Sequence, residues 1–276
     1  MNINIRTSTL ALAAVCTALL ASTAGPAKAE ETASLFGTGR VASVTYGPYL
    51  RLDVGRAAPS YGGANWRPPG FDPDPEIRFG LSGDDSVTHG SLAVGFDWQN
   101  GWRGDVGIVG TGTDRLAGPC IGASDASDCS VHADIESASI KTTGIMGHVF
   151  YSPFEAQGSN SPFQPFFVFG AGVARNKVGE WTRVNAGSLR PSRTFEGDST
   201  SSLALSVGVG ASYQITKPGE WPIILEGSIR YFDFGEASGG STPLPGNGSE
   251  GPVRPLTFDT SQSVVSFGVR IPLKRY

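Results

Sequence analysis

Residues 261–276, SQSVVSFGVRIPLKRY, carry an unbroken alternation: Val265, Phe267, Val269, Ile271 and Leu273 are apolar, with Ser266, Gly268, Arg270 and Pro272 between them. A period of two puts one greasy face and one small or polar face on opposite sides of a β-strand. The pattern recurs in residues 201–216, where Leu203, Leu205, Val207, Val209, Ala211, Tyr213 and Ile215 interleave with Ser202, Ala204, Ser206, Gly208, Gly210, Ser212 and Gln214. The second face of that stretch is the constraint that matters. Its Ser, Ala and Gly side chains are too small to solvate an exterior and suit a crowded interior. The large apolar residues must then face outward, which water does not permit and lipid does.

Six further stretches alternate in the same way, giving eight strands: Ser43–Gly55, Val87–Trp98, Trp102–Thr111, Ala133–Tyr151, Gln164–Val178, Ser201–Thr216, Pro222–Phe234 and the final one ending at Leu273. In Ala133–Tyr151 the apolar face is Ile135, Thr143, Ile145, Val149 and Tyr151, which leaves Glu136, Met146 and His148 on the other. The register of Gln164–Val178 (PFFVFGAGVA) is ambiguous, since both faces are apolar or Gly. Connections alternate between long polar ones (56–86, 112–132, 179–199, 235–258) and shorter ones, two of them short (Gln99-Asn100-Gly101, 217–220) and one medium (152–162). Asn-Gly favours a tight hairpin turn. Trp98, Trp102, Tyr151, Tyr213 and Trp221 cluster at the short turns, as an interfacial girdle does. The expected fold is all-β: a closed eight-stranded antiparallel up-and-down transmembrane barrel with short periplasmic turns and four long extracellular loops. A soluble lipocalin-like binder is the alternative, with the faces inverted.

Residues 1–29 read as a cleaved signal peptide: Arg6 is the basic start, Leu10–Leu20 the apolar core, and Ala27-Lys28-Ala29 the small-residue cleavage site. Val15 before Cys16 fits a lipidation site poorly. Residues 30–42 form a short polar lead-in and 43–276 the barrel, with no 18-residue apolar run for a transmembrane helix after the leader. Removing Arg6 and Lys28 leaves 19 basic against 25 acidic residues, a net −6 that argues against nucleic-acid binding. Export to an oxidising compartment favours a disulfide between Cys120 and Cys129 over a metal pair, because only His132 is near as a third ligand.

On these features the chain resembles the eight-stranded outer-membrane barrels: the OmpA transmembrane domain, opacity proteins and small porin-family surface antigens. Ser266, Gly268, Ile271 and Leu273, with Tyr276 closing the chain, are similar to the C-terminal insertion signal of those proteins, although the family prefers aromatics at the last two apolar places. The periplasmic peptidoglycan-binding domain that often follows an OmpA-type barrel is not expected here, since the last strand ends this sequence. The resemblance implies residence in the outer membrane of a Gram-negative bacterium. It further implies contact with outer-membrane lipid and lipopolysaccharide, insertion by the barrel-assembly machinery, and surface-exposed loops able to meet host or neighbouring proteins.

The inward face collects Arg51, Asp53, Asp97, Arg103, Asp105, Glu136, His148, Glu226, Arg230 and Arg270. Buried charges must pair, so the expectation is an ion-paired plug and a structural or surface-interaction role. A narrow charge-lined porin is the alternative. Lipid A-modifying barrel enzymes define a further one, for which His89 with Ser91 is the best candidate pair; the deacylase motif is not visible, and no catalytic group, cofactor or metal is assigned. Tyr61, Trp66, Phe71, Trp181 and Phe195 stand isolated in the long loops, where they read as exposed contacts for a surface partner.

Overall fold

The structure is a computed structural model that describes residues 47–69, 75–159, 161–185, 192–216 and 220–273. The leader with Ala27 and Ala29, residues 43–46 of the first expected strand, Phe71 and Tyr276 lie outside the described residues.

Eight strands close into a ring: β1 (Gly47–Arg67), β3 (Val87–Asp97), β4 (Trp102–Thr111), β7 (Asp134–Tyr151), β8 (Phe163–Val178), β11 (Asp198–Gln214), β12 (Ile224–Ser238) and β13 (Arg254–Pro272). Each pairs antiparallel with the next, and β13 returns to β1 from Tyr49↔Pro272 to Arg67↔Arg254. Closure leaves the ring no edge, so its backbone groups are paired where water is absent. The outward residues are those that alternation selects: Leu203 is 68% exposed and Phe267 70% exposed. Trp98, Trp102 and Trp221 are also exposed, and Trp102 stacks near Tyr151 with ring centroids 4.7 Å apart. The register of β8 is settled: Phe166 and Val168 face in, Phe169 and Val173 out.

The inner face is tight enough to demand glycine. A Cβ on Gly268 would lie 2.2 Å from Asp53 Oδ1 and 2.4 Å from the Leu52 carbonyl oxygen, so this residue makes room for an inward carboxylate on the neighbouring strand.

Where sequence and structure part is the outer end. Residues 56–86 do not form one long loop. β1 continues to Arg67, because β13 runs alongside it and pairs it from Ala57↔Val264 to Gly62↔Asp259 and again, past a register shift, at Asn65↔Thr257. The wall is then built upward by β2 (Ile77–Phe79), β5 (Asp114–Gly118), β6 (Cys120–Ala123), β9 (Trp181–Val184) and β10 (Arg193–Phe195). These pair as β1–β2, β2–β6, β5–β7, β7–β9 and β9–β10. Inside them lies an apolar core that includes Trp66, Ile77, Phe79, Leu116, Trp181 and Phe195.

The aromatics expected to be exposed are therefore interior. Trp66, Trp181 and Phe195 are buried, with Trp181 stacked on Phe195 at 4.3 Å, and Tyr61 is half-buried against Phe258. Their Gly- and Pro-rich surroundings concealed a folded cap. In β7 the expected faces hold from Thr143 to Tyr151 but reverse at Ile135, which is buried, and Glu136, which is exposed. A register irregularity between Ile135 and Ser137 shifts the alternation by one residue there. At the first short turn the positive φ angles fall on Gln99 (69°) and Gly101 (82°) rather than on Asn100 and Gly101.

Candidate functional site

The interior is layered along the strands. Nearest the short turns, Arg270 bonds Asp97 Oδ2 at 2.8 Å through Nη1 and Glu226 Oε1 at 2.9 Å through Nε. Arg103 donates to the same Glu226 oxygen from across the lumen. Its guanidinium lies over two rings, 4.3 Å from Phe150 and 4.7 Å from Phe166, which adds cation–π attraction in a dry setting.

A second set centres on Asp105. Arg51 donates to both of its oxygens, at 2.8 and 3.2 Å, and also pairs with Asp53. Tyr49 donates to Asp105 at 3.2 Å, and His148 Nδ1 lies 3.1 Å from it. Ser91 donates to Asp53 at 2.7 Å. Arg230 donates from Nε to Ser228 at 3.0 Å, and Ser228 meets Ser266 at 2.9 Å.

Four arginines (Arg51, Arg103, Arg230, Arg270) thus share the lumen with four carboxylates (Asp53, Asp97, Asp105, Glu226), all of them buried. The formal charges cancel. Beyond this layer toward the outer end comes an apolar cluster that includes Val87, Val109, Met146, Phe232, Phe234 and Val264. Next is a polar pair, Thr142 bonded to Asn176 at 2.8 Å, with Asn176 donating onward to the Phe234 and Glu236 carbonyls. The apolar core of the cap follows. Tyr61 donates to Asp114 beside it, and the phenol is pushed up in pKa chiefly by burial and then by that bond.

Nine of the ten charged or His residues assigned to the lumen lie in it; Glu136 does not, because of the shift in β7. Sequence reasoning left Tyr49, Ser91, Phe150 and Phe166 out of the network. Tyr49 and Ser91 share an inward face with Asp53, which is a readable signal, whereas Phe166 sat in the strand of ambiguous register. His89 and Ser91 are both buried, yet Ser91 is committed to Asp53 and His89 packs on Phe232 at 5.3 Å. Cys120 and Cys129 are bonded, with Cα atoms 5.5 Å apart. The Asp134 carboxylate accepts from the Cys120 amide at 2.6 Å and ties the loop to β7.

The exterior completes the assignment. Leu52, Val54, Leu92, Ile108, Ile145, Val173 and Leu203 stand exposed around a closed ring whose small and charged residues face inward. The chain is an eight-stranded transmembrane barrel. Short turns at one end and a built-up opposite end place it in the outer membrane of a Gram-negative cell, where barrels of this form reside.

Neither a family model nor a curated protein matches the sequence. Among solved structures, the Pseudomonas aeruginosa outer membrane protein OprG is similar at 17% identity, with 82% of this chain and 97% of that one covered and a TM-score of 0.46. Neisserial surface protein A is similar with the same identity and coverage and a TM-score of 0.38. Ail, the attachment invasion locus protein of Yersinia pestis, is similar at 12% identity over 82% of this chain and 99% of that one, with a TM-score of 0.35.

Proposed function

We propose that the protein is a non-conducting outer-membrane barrel whose role is structural and surface-directed. What supports this reading is the packing of the inward side chains. A layer of four arginines neutralised by four carboxylates is followed outward by an apolar cluster and then by the aromatic core of the cap. An ion crossing such a path would shed its hydration against Phe232, Phe234, Trp66 and Trp181, and the polar groups between them, Thr142 and Asn176, are bonded to each other. The charge layer also sums to zero, so it offers neither sign a favourable field.

Catalysis on membrane lipid has little support, since His89 and Ser91 point into the packed interior and lipid passes outside. The surface role falls to the cap, which is held by its own core and the Cys120–Cys129 bond rather than by flexible loops. Purified full-length protein in planar bilayers tests the closed lumen. Repeated insertions without current are expected. Discrete, salt-dependent conductance steps would overturn the reading in favour of a narrow porin.

A further inference from the structure

The strand register sorts the outer wall into rows. One row is apolar throughout: Leu52↔Leu92, Leu92↔Ile108, Ile108↔Ile145, Ile145↔Val173. The next row toward the cap runs Val54↔Gly90, Gly90↔Gly110, Gly110↔Thr143, Thr143↔Arg175, so two glycines lie side by side just above Leu92 and Ile108. Packing does not demand them. A Cβ on Gly90 would meet nothing closer than the Asp53 carbonyl at 3.8 Å, and one on Gly110 nothing closer than Thr143 Cγ2 at 4.0 Å. Glycine inside a strand costs stability and marks a bulge, a barrel bend or the close approach of another molecule, and the register carries no bulge at Gly90 or Gly110.

The dip opens into a groove of about 1000 Å³ lined by the apolar row on one side and by Lys141 and Arg175 at its capward edge. Lys177 stands directly opposite Lys141, an arrangement of like charges that is unfavourable without an anion nearby. Among the described residues no ion pair engages Lys141, Arg175 or Lys177. A second outer groove of about 830 Å³, around Val94, Phe96, Val106, Gly147 and Phe169, has no Lys or Arg in its lining.

We propose that the wall from β1 to β8 holds one phosphorylated lipid, its phosphate on Lys141 and Arg175 with Lys177 nearby, and an acyl chain in the dip at Gly90 and Gly110. Charge complementarity selects the occupant: an apolar trough ending in unpaired cations matches a greasy chain ending in an anion. The proposal rests on the transmembrane reading above. The neutral groove at Gly147 takes chains without headgroup preference and serves as the internal control.

The test uses full-length protein in micelles of a neutral detergent, with native mass spectrometry counting bound phosphatidic acid or phosphatidylcholine of identical chains. Wild type is expected to retain one phosphatidic acid at least tenfold over phosphatidylcholine. Lys141→Gln/Arg175→Gln should abolish that preference, and Gly110→Leu should remove the bound lipid. Gly147→Leu, whose Cβ meets only contacts of 3.8 Å and beyond, should change neither. Equal retention of both lipids by wild type would overturn the proposal, as would unaltered preference in the cation variant. Inorganic phosphate bound equally well would mark a headgroup-only site and overturn the lipid assignment. A boiling-dependent gel shift on each sample reports the barrel separately, so loss of the barrel itself cannot be mistaken for loss of the lipid.

Discussion

Replacing Glu226 with Ala tests the lumen network at its most connected carboxylate. Glu226 accepts from Arg103 and Arg270, and all three side chains are at most 8% exposed. The two arginines fare differently once it is gone. Arg270 keeps Asp97 at 2.8 Å, whereas Glu226 is the carboxylate paired with Arg103 among the described residues. The cost is therefore that of one stranded buried cation, ~3–5 kcal/mol for a broken buried pair. The Phe150 and Phe166 faces beside Arg103 are present with and without Glu226, which leaves the cation partly compensated and the cost at the lower end of that range. A net loss of about 3 kcal/mol follows. Arg103→Met should cost less, because Glu226 retains Arg270 at 2.9 Å. The double variant Glu226→Ala/Arg103→Met should recover most of the loss, because neither charge is then left stranded. Urea unfolding of protein refolded into phosphatidylcholine vesicles, followed by Trp fluorescence and by gel shift, supplies the free energies. A Glu226→Ala barrel within about 1 kcal/mol of wild type, or a double variant costing the sum of the singles, would refute the idea that pairing fixes this layer.

Three further outcomes are expected. Reducing the Cys120–Cys129 bond, or replacing both with Ser, removes a staple across nine residues, worth about 2–3 kcal/mol, and the loss should be local; limited proteolysis should then cut within 112–132 while the boiling-dependent gel shift persists. Ile271→Asp places a carboxylate on the lipid face beside Leu50, where a charge costs about 1–2 kcal/mol between midplane and interface, and quantitative blotting should show a fall in outer-membrane level. Burial, with added repulsion from Asp97, pushes the Glu155 carboxyl in the turn helix α1 (Pro153–Ala156) from 4.5 up to about 6. A raised acid binds its proton more tightly when folded, so the barrel loses stability as pH rises from about 4.5 through about 6. Glu155→Gln should therefore raise the urea midpoint near pH ~7.5 and leave it unchanged near pH ~4.

The ring was legible because its two faces meet opposite solvents. Lipid selects Leu203, Leu205 and Phe267 outward, the narrow interior selects Ala204, Ser206 and Gly268, and a period of two survives across nearly every ring strand. The lumen charges follow from the same parity, since a charged residue between two lipid-facing ones has one direction in which to point. The outer end obeyed a different rule. There both sides of the wall are bounded by protein or water, so apolar parity no longer marks a strand, and what extends β1 to Arg67 is the partner β13 rather than its own composition.

The phase also slips at positions the parity argument cannot anticipate. In β1 the inward residues are odd-numbered through Tyr61 and even-numbered from Ala64, and the change falls at Gly62-Gly63, where Gly63 has φ of 61°. β12 slips between Asp233 and Gly235 (φ 68°), which moves the inward side from Phe234 to Ala237. β7 slips at Glu136, which puts that carboxylate outside. All three irregularities lie toward the cap. Below them strict pairing is required, because lipid offers no substitute for a missing backbone hydrogen bond. Above them water and side chains can satisfy a bulge, and the freedom is used to turn Trp66 inward into the core of the cap. The slips therefore mark the boundary at which the constraint changes from the membrane to the protein's own core.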